Sequence, residues 1–295
     1  MSQLPNFVVI GAARCGTTSL YAYLREHPQI FMSPEKETDY FSLGDLPPSE
    51  VPDAASKYRA RSREEYERLF RGAGDARAVG EASPTYLFYS RSAARMQQLI
   101  PDAKLICILR DPIERAYSHY ALSRKMGVEL LPDFEAAVAA ENESWLRDRS
   151  MRFTYVRASL YHDGLREFLV RFPRERILVL LFQDFAENPA GTMRSVYRFL
   201  GVDDRFEPDV TVRHNRSLLP RSSLVREAFS RPRRLRRLLQ RNLPPRLVTR
   251  VGNLMMHPPP GLEPSVRARM LPRFHEEIRR LETLLDRDLS AWRSM

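Results

Sequence analysis

The segment that decides the fold is Phe7-Val-Val-Ile-Gly-Ala-Ala-Arg-Cys-Gly-Thr-Thr-Ser-Leu20, in which an apolar strand leads through a glycine-bracketed loop into a helix. Gly11 and Gly16 let the backbone turn tightly and approach an anion. The N–H groups at the start of the helix carry the positive end of its dipole, so the segment is typical of a phosphate-binding loop. Arg14 adds charge inside this loop, and hydroxyl donors follow at Thr17, Thr18 and Ser19.

The loop matches the nucleotide-binding pattern G-x-x-x-x-G-K-[ST] as far as Gly16. Thr17 then stands where that pattern has its lysine, and the basic residue lies inside the loop, at Arg14. The segment therefore predicts a P-loop-like anion cradle whose positive charge has been displaced from the helix to the loop.

A second anion site is predicted by Lys104-Leu-Ile-Cys-Ile-Leu-Arg-Asp-Pro-Ile-Glu-Arg-Ala-Tyr-Ser-His-Tyr120. Arg110 falls at the carboxyl end of a buried strand, where open α/β sheets bind ligands. Pro112 suits the first turn of a helix, and Asp111 can cap that helix. Ser118 lies two helical turns beyond Asp111, on about the same face. Arg110 and Ser118 therefore indicate a second site, and the two sites together indicate a ligand phosphorylated at two separated places.

These segments resemble the motifs of sulfotransferases that use 3′-phosphoadenosine 5′-phosphosulfate (PAPS). In that family a G-x-x-[KR]-x-G-[TS]-[TS] loop holds the 5′-phosphosulfate, and L-R-[DN]-P-x-x-R-x-x-S-x-Y holds the 3′-phosphate. This chain has Gly11-Ala-Ala-Arg-Cys-Gly-Thr-Thr18 and Leu109-Arg-Asp-Pro-Ile-Glu-Arg-Ala-Tyr-Ser-His-Tyr120. The resemblance extends over nearly the whole chain, except for a basic segment without clear pattern at residues 213–264.

The remaining motifs are similar to the heparan-type branch of the family and its soluble bacterial relatives. His27-Pro28 with Lys36-Glu-Thr-Asp-Tyr-Phe41 resembles H-P…E-x-x-F-F, and Gly80-Glu-Ala-Ser-Pro-Thr-Tyr86 resembles E-K-[ST]-P-x-Y. Ala82 replaces the lysine with which the heparan enzymes grip their acceptor, so the resemblance does not extend to a heparan substrate. Further matches follow in the family's order, at Ser159 to His162, Phe172 to Leu180, Phe199 to Gly201 and Leu285 to Trp292.

The resemblance implies that PAPS is the donor. Its phosphosulfate would be held by Arg14, Cys15, Gly16, Thr17, Thr18 and Ser19, and its 3′-phosphate by Arg110 and Ser118. Arg14 stands where the family usually has lysine, and it would stabilise the leaving group by its charge, because a guanidinium does not donate its proton.

Catalysis also requires a base that takes the proton of the attacking acceptor. By resemblance this base is Glu37, with Lys36 beside it to lower its pKa or contact the donor. Further candidates are Glu81, Asp39 and His119. No metal is implied, because arginines and helix dipoles neutralise the donor, and the sequence has no His/Cys cluster with ligand spacing.

The sequence therefore predicts sulfuryl transfer to a hydroxyl or amine of an acceptor such as a carbohydrate, glycolipid or natural product. A P-loop nucleotide kinase is the main alternative, with Asp111 as the magnesium-holding carboxylate. The charge of +10, from 47 basic and 37 acidic residues, also admits a nucleic-acid-binding protein. No helix-turn-helix, zinc-finger or RNA-binding signature supports that class, so no nucleic-acid partner is expected.

A chain of 295 residues, of which 43% are apolar, is predicted to form one domain over residues 1–295. Its two cysteines suit a reducing compartment, and the absence of a signal peptide or an apolar membrane span predicts a cytoplasmic protein. The segment 231–241 is predicted to be a basic amphipathic helix. It packs by its leucines with solvated arginines, or it lies on an anionic membrane as a peripheral contact or binds an acidic acceptor.

The pattern along the chain predicts a three-layer α/β/α fold with a central parallel sheet. The predicted strands are Val8 to Ile10, Ala78 to Glu81, Leu105 to Leu109 and Ile177 to Phe182. The predicted helices are Thr18 to Arg25, Ser90 to Ile100, Ile113 to Met126, Leu160 to Arg171 and Pro189 to Leu200, with a short one at Asp133 to Glu141. Residues 43–75, rich in charge and proline, predict a mobile insertion near the acceptor cleft.

Overall fold

The protein is described by a computed structural model that covers residues 4–47, 51, 60–143, 151–211, 219–220, 256–257 and 261–294. The basic helix predicted at residues 231–241, and most of the segment 213–264, lie outside these ranges.

The centre of the molecule is a parallel five-stranded sheet with the strand order β2-β3-β1-β4-β5. Its strands are β1 (Phe7–Gly11), β2 (Ile30–Met32), β3 (Ala78–Ala82), β4 (Lys104–Leu109) and β5 (Ile177–Leu181). The register places Phe7 opposite both Gly80 and Lys104. β1, β3 and nearly all of β4 are buried, which explains the continuous apolar runs of β1 and β4 in the sequence.

Helices flank this sheet in the three-layer α/β/α arrangement that the sequence predicts. In chain order they are α1 (Thr17–Glu26), α2 (Tyr40–Leu43), α3 (Arg63–Arg68), α4 (Arg91–Leu99), α5 (Pro112–Lys125), α6 (Phe134–Ala139), α7 (His162–Arg171), α8 (Phe182–Glu187), α9 (Pro189–Leu200) and α10 (Pro264–Leu285). Short 3₁₀ turns lie at Met151–Phe153, Arg157–Ser159, Arg174–Arg176 and Ser290–Trp292, and Leu219–Pro220 pairs antiparallel with Met256–His257.

Each predicted strand and helix is confirmed to within one or two residues, but other elements were missed. The last predicted strand ends at Leu181, because Phe182 already begins α8. The edge strand β2 and the long helix α10 were not predicted. α10 packs against α5 and α7 through Met270, Phe274, Ile278 and Leu281, so it belongs to the core of the fold.

Residues 60–75 of the predicted mobile insertion are part of the packed structure. Ser62 caps α3 by accepting a hydrogen bond from the N–H of Glu65. Tyr66 and Phe70 are buried in the core, and the Tyr66 hydroxyl donates to the Glu81 carboxylate at 3.2 Å. Two aromatic side chains thus pack this part of the predicted insertion against the sheet, while the mobility of the segment stays a prediction.

The strand order puts the ends of β1 and β4 next to each other at the carboxyl edge of the sheet. The next two strands in the chain, β2 and β3, lie on one side of β1. The later strands, β4 and β5, lie on its other side. Such a reversal opens a crevice between adjacent strand ends, where open α/β sheets bind ligands. None of the helices in the described ranges has the length and apolar character needed to cross a membrane.

Gly80 tests the packing between β1 and β3. A Cβ at this position would lie 2.3–2.5 Å from ring atoms of Phe7 on the neighbouring strand. We expect Gly80→Ala to lower the free energy of unfolding by about 1–3 kcal/mol, as overpacking does. Denaturant titration measures this change. Gly261→Ala is the control, because no atom lies within 4 Å of a Cβ built there. Equal stability of the two variants would contradict this packing.

Candidate active site

The loop between β1 and α1 presents a helix N-terminus that no side chain caps. Gly16 occupies the N-cap position with φ of 93°, a left-handed conformation that glycine adopts without strain. The Phe182 ring lies 3.1 Å from where a Cβ of Gly16 would stand. Ala12 N–H donates to the Ile108 carbonyl at 2.8 Å and so fixes the loop against β4. The first turn of α1 is therefore held open toward the crevice, as an anion site requires.

The predicted loop residues occupy this turn in different ways. The Thr17 and Cys15 side chains are buried, while those of Thr18 and Ser19 are partly exposed. Burial raises the pKa of the Cys15 thiol, and its Sγ lies 3.7 Å from the Tyr161 hydroxyl. The cysteine side chain therefore fills space below the loop and presents no thiolate to a ligand.

Arg14 connects the loop to α5. Its Nε and Nη2 donate to Oγ of Ser118 at 3.3 and 3.1 Å. Ser118 was predicted to bind an anion together with Arg110, and the structure shows its hydroxyl in contact with Arg14. The two motifs, 104 residues apart in the sequence, thus meet through one side-chain pair.

Arg110 follows β4 directly and lies at the rim of the same crevice. Its Nη2 is 3.1 Å from Oε2 of Glu114, one turn into α5. Its guanidinium carbon lies 4.9 Å from the centre of the Phe182 ring, and its backbone carbonyl accepts from the Tyr161 hydroxyl at 3.0 Å. Phe182 therefore packs against both the Gly16 loop and the Arg110 side chain, and it places them side by side.

Arg115 is a site residue that the sequence interpretation missed, although it stands within the second motif. It is fully buried, and its Nε donates to the Ala13 carbonyl at 3.0 Å. The rest of the guanidinium donates to the carbonyls of Thr154 and Tyr155, to Oγ of Ser159 and to Nδ1 of His119. Arg115 therefore ties the anion loop to α5 and to the segment around the 3₁₀ turn at Arg157–Ser159.

The three arginines create an excess of positive charge at this point. Burial, followed by the charges of Arg115 and Arg110, lowers the pKa of Arg14 from 12.5 to about 10. Arg14 stays protonated at neutral pH, but its charge is opposed by its neighbours. A site of this kind favours a ligand that carries several negative charges, since such a ligand relieves the repulsion.

Asp111 caps α5 and pairs with an arginine of α10. Its Oδ1 accepts from the N–H groups of Ile113 and Glu114 at 2.9 and 3.1 Å. Its Oδ2 accepts from Nη2 of Arg267 at 2.6 Å. Asp111 therefore serves the helix cap and the contact with Arg267, and nothing in the part of the chain that the structure describes supports the kinase alternative.

Glu37 lies close to this arginine cluster. It follows β2 with φ of 64°, and its N–H donates to the Ala82 carbonyl at the end of β3 at 2.9 Å. Its side chain is 48% exposed, and Lys36 Nζ lies 2.6 Å from its Oε1. The Glu37 charge acts to raise the pKa of Arg14, which places the carboxylate within electrostatic reach of the loop.

The other base candidates are less accessible than Glu37. Glu81 is fully buried and accepts from the hydroxyls of Tyr66, Ser83 and Tyr86. His119 accepts from Arg115 at Nδ1, and burial with the adjacent arginine charges holds its pKa well below the usual range. Asp39 accepts from the Thr85 hydroxyl at 2.6 Å, and burial raises its pKa to about 7.

The fold and the site together define an α/β protein with a strongly cationic anion site at the reversal point of a parallel sheet. The chain belongs to a family of this type: residues 5–208 match the model of the Sulfotransferase family. The family predicted from the sequence is thereby confirmed.

Curated relatives agree with this assignment. The chain is 27% identical over 247 residues to carbohydrate sulfotransferase 15 of Rattus norvegicus, in an alignment that covers 68% of this chain and 44% of the relative. It is 29% identical to heparan sulfate glucosamine 3-O-sulfotransferase 3B1 of Mus musculus, covering 68% and 47%. The human bifunctional heparan sulfate N-deacetylase/N-sulfotransferase 2 is 28% identical, covering 68% and 22%. The chain thus spans less than half the length of these relatives.

A solved structure of similar length also matches. The sulfotransferase from Alicyclobacillus acidocaldarius is 34% identical, with a TM-score of 0.77, and the alignment covers 99% of this chain and 100% of that one. The predicted similarity to both heparan-type and bacterial members is therefore confirmed.

Arg115→Lys tests how the loop is held. Lysine cannot reproduce the planar set of donors, so buried carbonyls of Ala13, Thr154 and Tyr155 would lose partners at about 1–3 kcal/mol each. We expect the free energy of unfolding to fall by roughly 3 kcal/mol or more, measured by denaturant titration. Arg171→Lys, at a half-exposed pair with Glu167, serves as the control and should change it by less than about 1 kcal/mol. A similar loss in both variants would contradict the proposed anchoring role.

Asp39→Asn tests the environment of the buried carboxyl. Its pKa rises from 3.8 unfolded to about 7 folded, so the folded state binds the additional proton between these values. Asp39 therefore lowers the stability progressively as the pH rises from about 4 to about 7. We expect the variant, relative to the native chain, to gain roughly 2 kcal/mol between pH 5 and pH 8, as measured by unfolding at both pH values. A difference independent of pH would show that Asp39 titrates normally.

Proposed function

We propose that this protein transfers a sulfuryl group from PAPS to a hydroxyl or amine of an acceptor. The observation that carries the proposal is the cluster of Arg14, Arg110 and Arg115 beside the uncapped start of α1. Membership of the Sulfotransferase family supports it, as does the order of the two anion motifs along the chain.

The residues present fit a donor with anionic groups at two ends. The N–H groups of the first turn of α1, with Arg14 and the hydroxyls of Thr17, Thr18 and Ser19, would bind the 5′-phosphosulfate. Arg110, one strand away at the end of β4, would bind the 3′-phosphate. Ser118 would serve both ends, since it contacts Arg14 and lies on the helix that begins beside Arg110.

The reaction is an in-line displacement at sulfur. The acceptor oxygen or nitrogen forms a bond to sulfur while the bond from sulfur to the bridging oxygen breaks. The leaving adenosine 3′,5′-bisphosphate keeps the electron pair on its 5′-phosphate oxygen. Fixed donors aimed at that developing charge stabilise the transition state, and each is worth about 3–4 kcal/mol in comparable oxyanion sites.

Arg14 would supply this stabilisation by charge alone. Its pKa of about 10 lies well above neutral pH, so it stays protonated throughout the reaction. It also lies within hydrogen-bond distance of Ser118, which orients the guanidinium before the donor arrives. A guanidinium oriented in this way costs little reorganisation during the transfer.

Glu37 would accept the proton of the attacking group. Among the acidic candidates it combines exposure with closeness to the arginine cluster, whereas Asp39 and Glu81 are buried. Oε1 of Glu37 lies 2.6 Å from Lys36 Nζ, and the side chain stays exposed enough to meet the attacking group.

The acceptor class is proposed from the relatives. Those named above are carbohydrate or heparan sulfate sulfotransferases, which favours a carbohydrate or another hydroxyl-bearing molecule such as a glycolipid or natural product. Ala82, where the heparan enzymes have lysine, argues against a heparan chain itself. Cytoplasmic location and contact of residues 231–241 with a membrane stay predictions from the sequence.

Calorimetric titration with adenosine 3′,5′-bisphosphate tests the proposal directly. We expect saturable binding that is unchanged by a metal chelator, because the fixed cations are side chains. Incubation with sulfur-labelled PAPS and fractionated cell extract then identifies the acceptor by the label it gains. The absence of measurable binding of the bisphosphate would refute the proposed function.

Variants at the two ends of the site separate binding from catalysis. Arg110→Ala should weaken bisphosphate binding by about 10- to 100-fold, through loss of charge-assisted hydrogen bonds. Glu37→Ala should leave that affinity nearly unchanged and lower kcat by about 10²- to 10⁴-fold, as loss of a general base does. Arg171→Ala and Glu35→Ala are the controls, at exposed or half-exposed positions outside the site. Equal effects of Arg110→Ala and Glu37→Ala on affinity would contradict these roles.

A further inference from the structure

The carboxyl-terminal helix α10 reaches the second anion motif through one buried ion pair. Nη2 of Arg267 lies 2.6 Å from Oδ2 of Asp111, and their side chains are only 14% and 5% exposed. Arg267 falls outside residues 5–208, the part of the chain that matches the family model. The contact therefore joins α10, which lies beyond the matched residues, to Asp111, the residue that follows Arg110 in the chain.

Arg267 also fastens the end of the chain to the same point. Its Nη2 donates to the Trp292 carbonyl at 2.8 Å, and its Nε donates to the Ser294 carbonyl at 3.0 Å. Trp292 is itself buried in the core. The planar guanidinium thus binds the Asp111 carboxylate and two backbone carbonyls at the same time. A lysine in its place could not do this, because it carries a single amine.

A continuous set of contacts leads from Arg267 to Arg110. The Asp111 carboxylate, which pairs with Arg267, accepts hydrogen bonds from the N–H groups of Ile113 and Glu114. It thereby fixes the first turn of α5. Glu114, on that turn, pairs with the Arg110 guanidinium at 3.1 Å. Asp111 is also adjacent to Arg110 in the backbone. The direction of the Arg110 side chain therefore depends on a cap that Arg267 holds.

We propose that Arg267 is a positioning residue for the donor, acting on the end of the site that Arg110 forms. The inference rests on the proposed function, in which Arg110 binds the 3′-phosphate. Loss of Arg267 leaves the Asp111 carboxylate buried without its cation, which destabilises the cap of α5. The α1 loop is held by contacts that do not pass through the Asp111 cap, so the phosphosulfate end stays in place. The Ala12 N–H donates to the Ile108 carbonyl, and the Arg115 guanidinium, which donates to Ala13, is also fixed by the carbonyls of Thr154 and Tyr155.

The two ends of the site can be probed separately with two nucleotides. Adenosine 3′,5′-bisphosphate engages both ends, whereas adenosine 5′-phosphate engages only the end at α1. We expect Arg267→Gln to weaken binding of the bisphosphate about tenfold and of the monophosphate less than about threefold, as misplacement of one contact does. Arg269→Gln is the matched control, two residues along the same helix, where an exposed pair with Glu135 is removed. The ratio of the affinities for the two nucleotides in Arg269→Gln should equal that of the native chain.

The outcomes are distinguishable. An equal loss for both nucleotides, or an unchanged ratio of the two affinities, would overturn the positioning role. A native chain that binds both nucleotides equally would instead refute the two-ended site of the proposed function. Thermal unfolding of each variant checks that it is folded. If Arg267→Gln does not fold, Arg267→Lys decides: its single amine cannot fix Asp111, Trp292 and Ser294 together, so a partial loss of the ratio supports the role and an unchanged ratio overturns it.

Discussion

The candidate site depends on Arg115, a buried cation that is satisfied by carbonyls and neutral side chains. Within the described residues no carboxylate forms an ion pair with it, so each of its three nitrogens has a hydrogen-bond partner but none of these partners is anionic. Removing a charge from water is costly, and it is tolerated here because five groups surround the guanidinium. The same side chain therefore fixes the anion loop at Ala13 and adds positive charge to the crevice that this loop lines.

The parallel sheet determines which other groups share that crevice. β1 and β4 are neighbours, so the loop after Gly11 and the cation after Leu109 emerge at the same edge. Phe182, the first residue after β5, then fills the space between them. Three strand ends thus bring together groups that are distant in the sequence. This explains why two motifs of different composition form one cationic surface.

The sequence was sufficient for features that rest on local patterns and insufficient for those that rest on tertiary packing. Short, mostly apolar segments identified four of the five strands, whereas Ile30–Met32 has too few residues to show a pattern. Pro272 lies inside α10, and because proline is unfavourable within a helix, the sequence did not predict this helix, which tertiary contacts stabilise. In the site, the glycines, the hydroxyl residues and Arg110 could be predicted because they belong to recognisable motifs. Arg115 did not, because an arginine in a sequence is ordinarily expected at the surface.

The arrangement implies a balance between stability and ligand affinity. Burial, followed by the charges of Arg115 and Arg110, lowers the pKa of Arg14 and raises the free energy of the unliganded protein, since like charges are held together away from water. A polyanion bound among them removes this penalty, so part of its binding energy is stored in the folded structure beforehand. The caps and anchors at Ala13 and Asp111 keep the arginines from moving apart. The same strain that weakens the free fold is thus what gives the site its preference for a highly charged ligand.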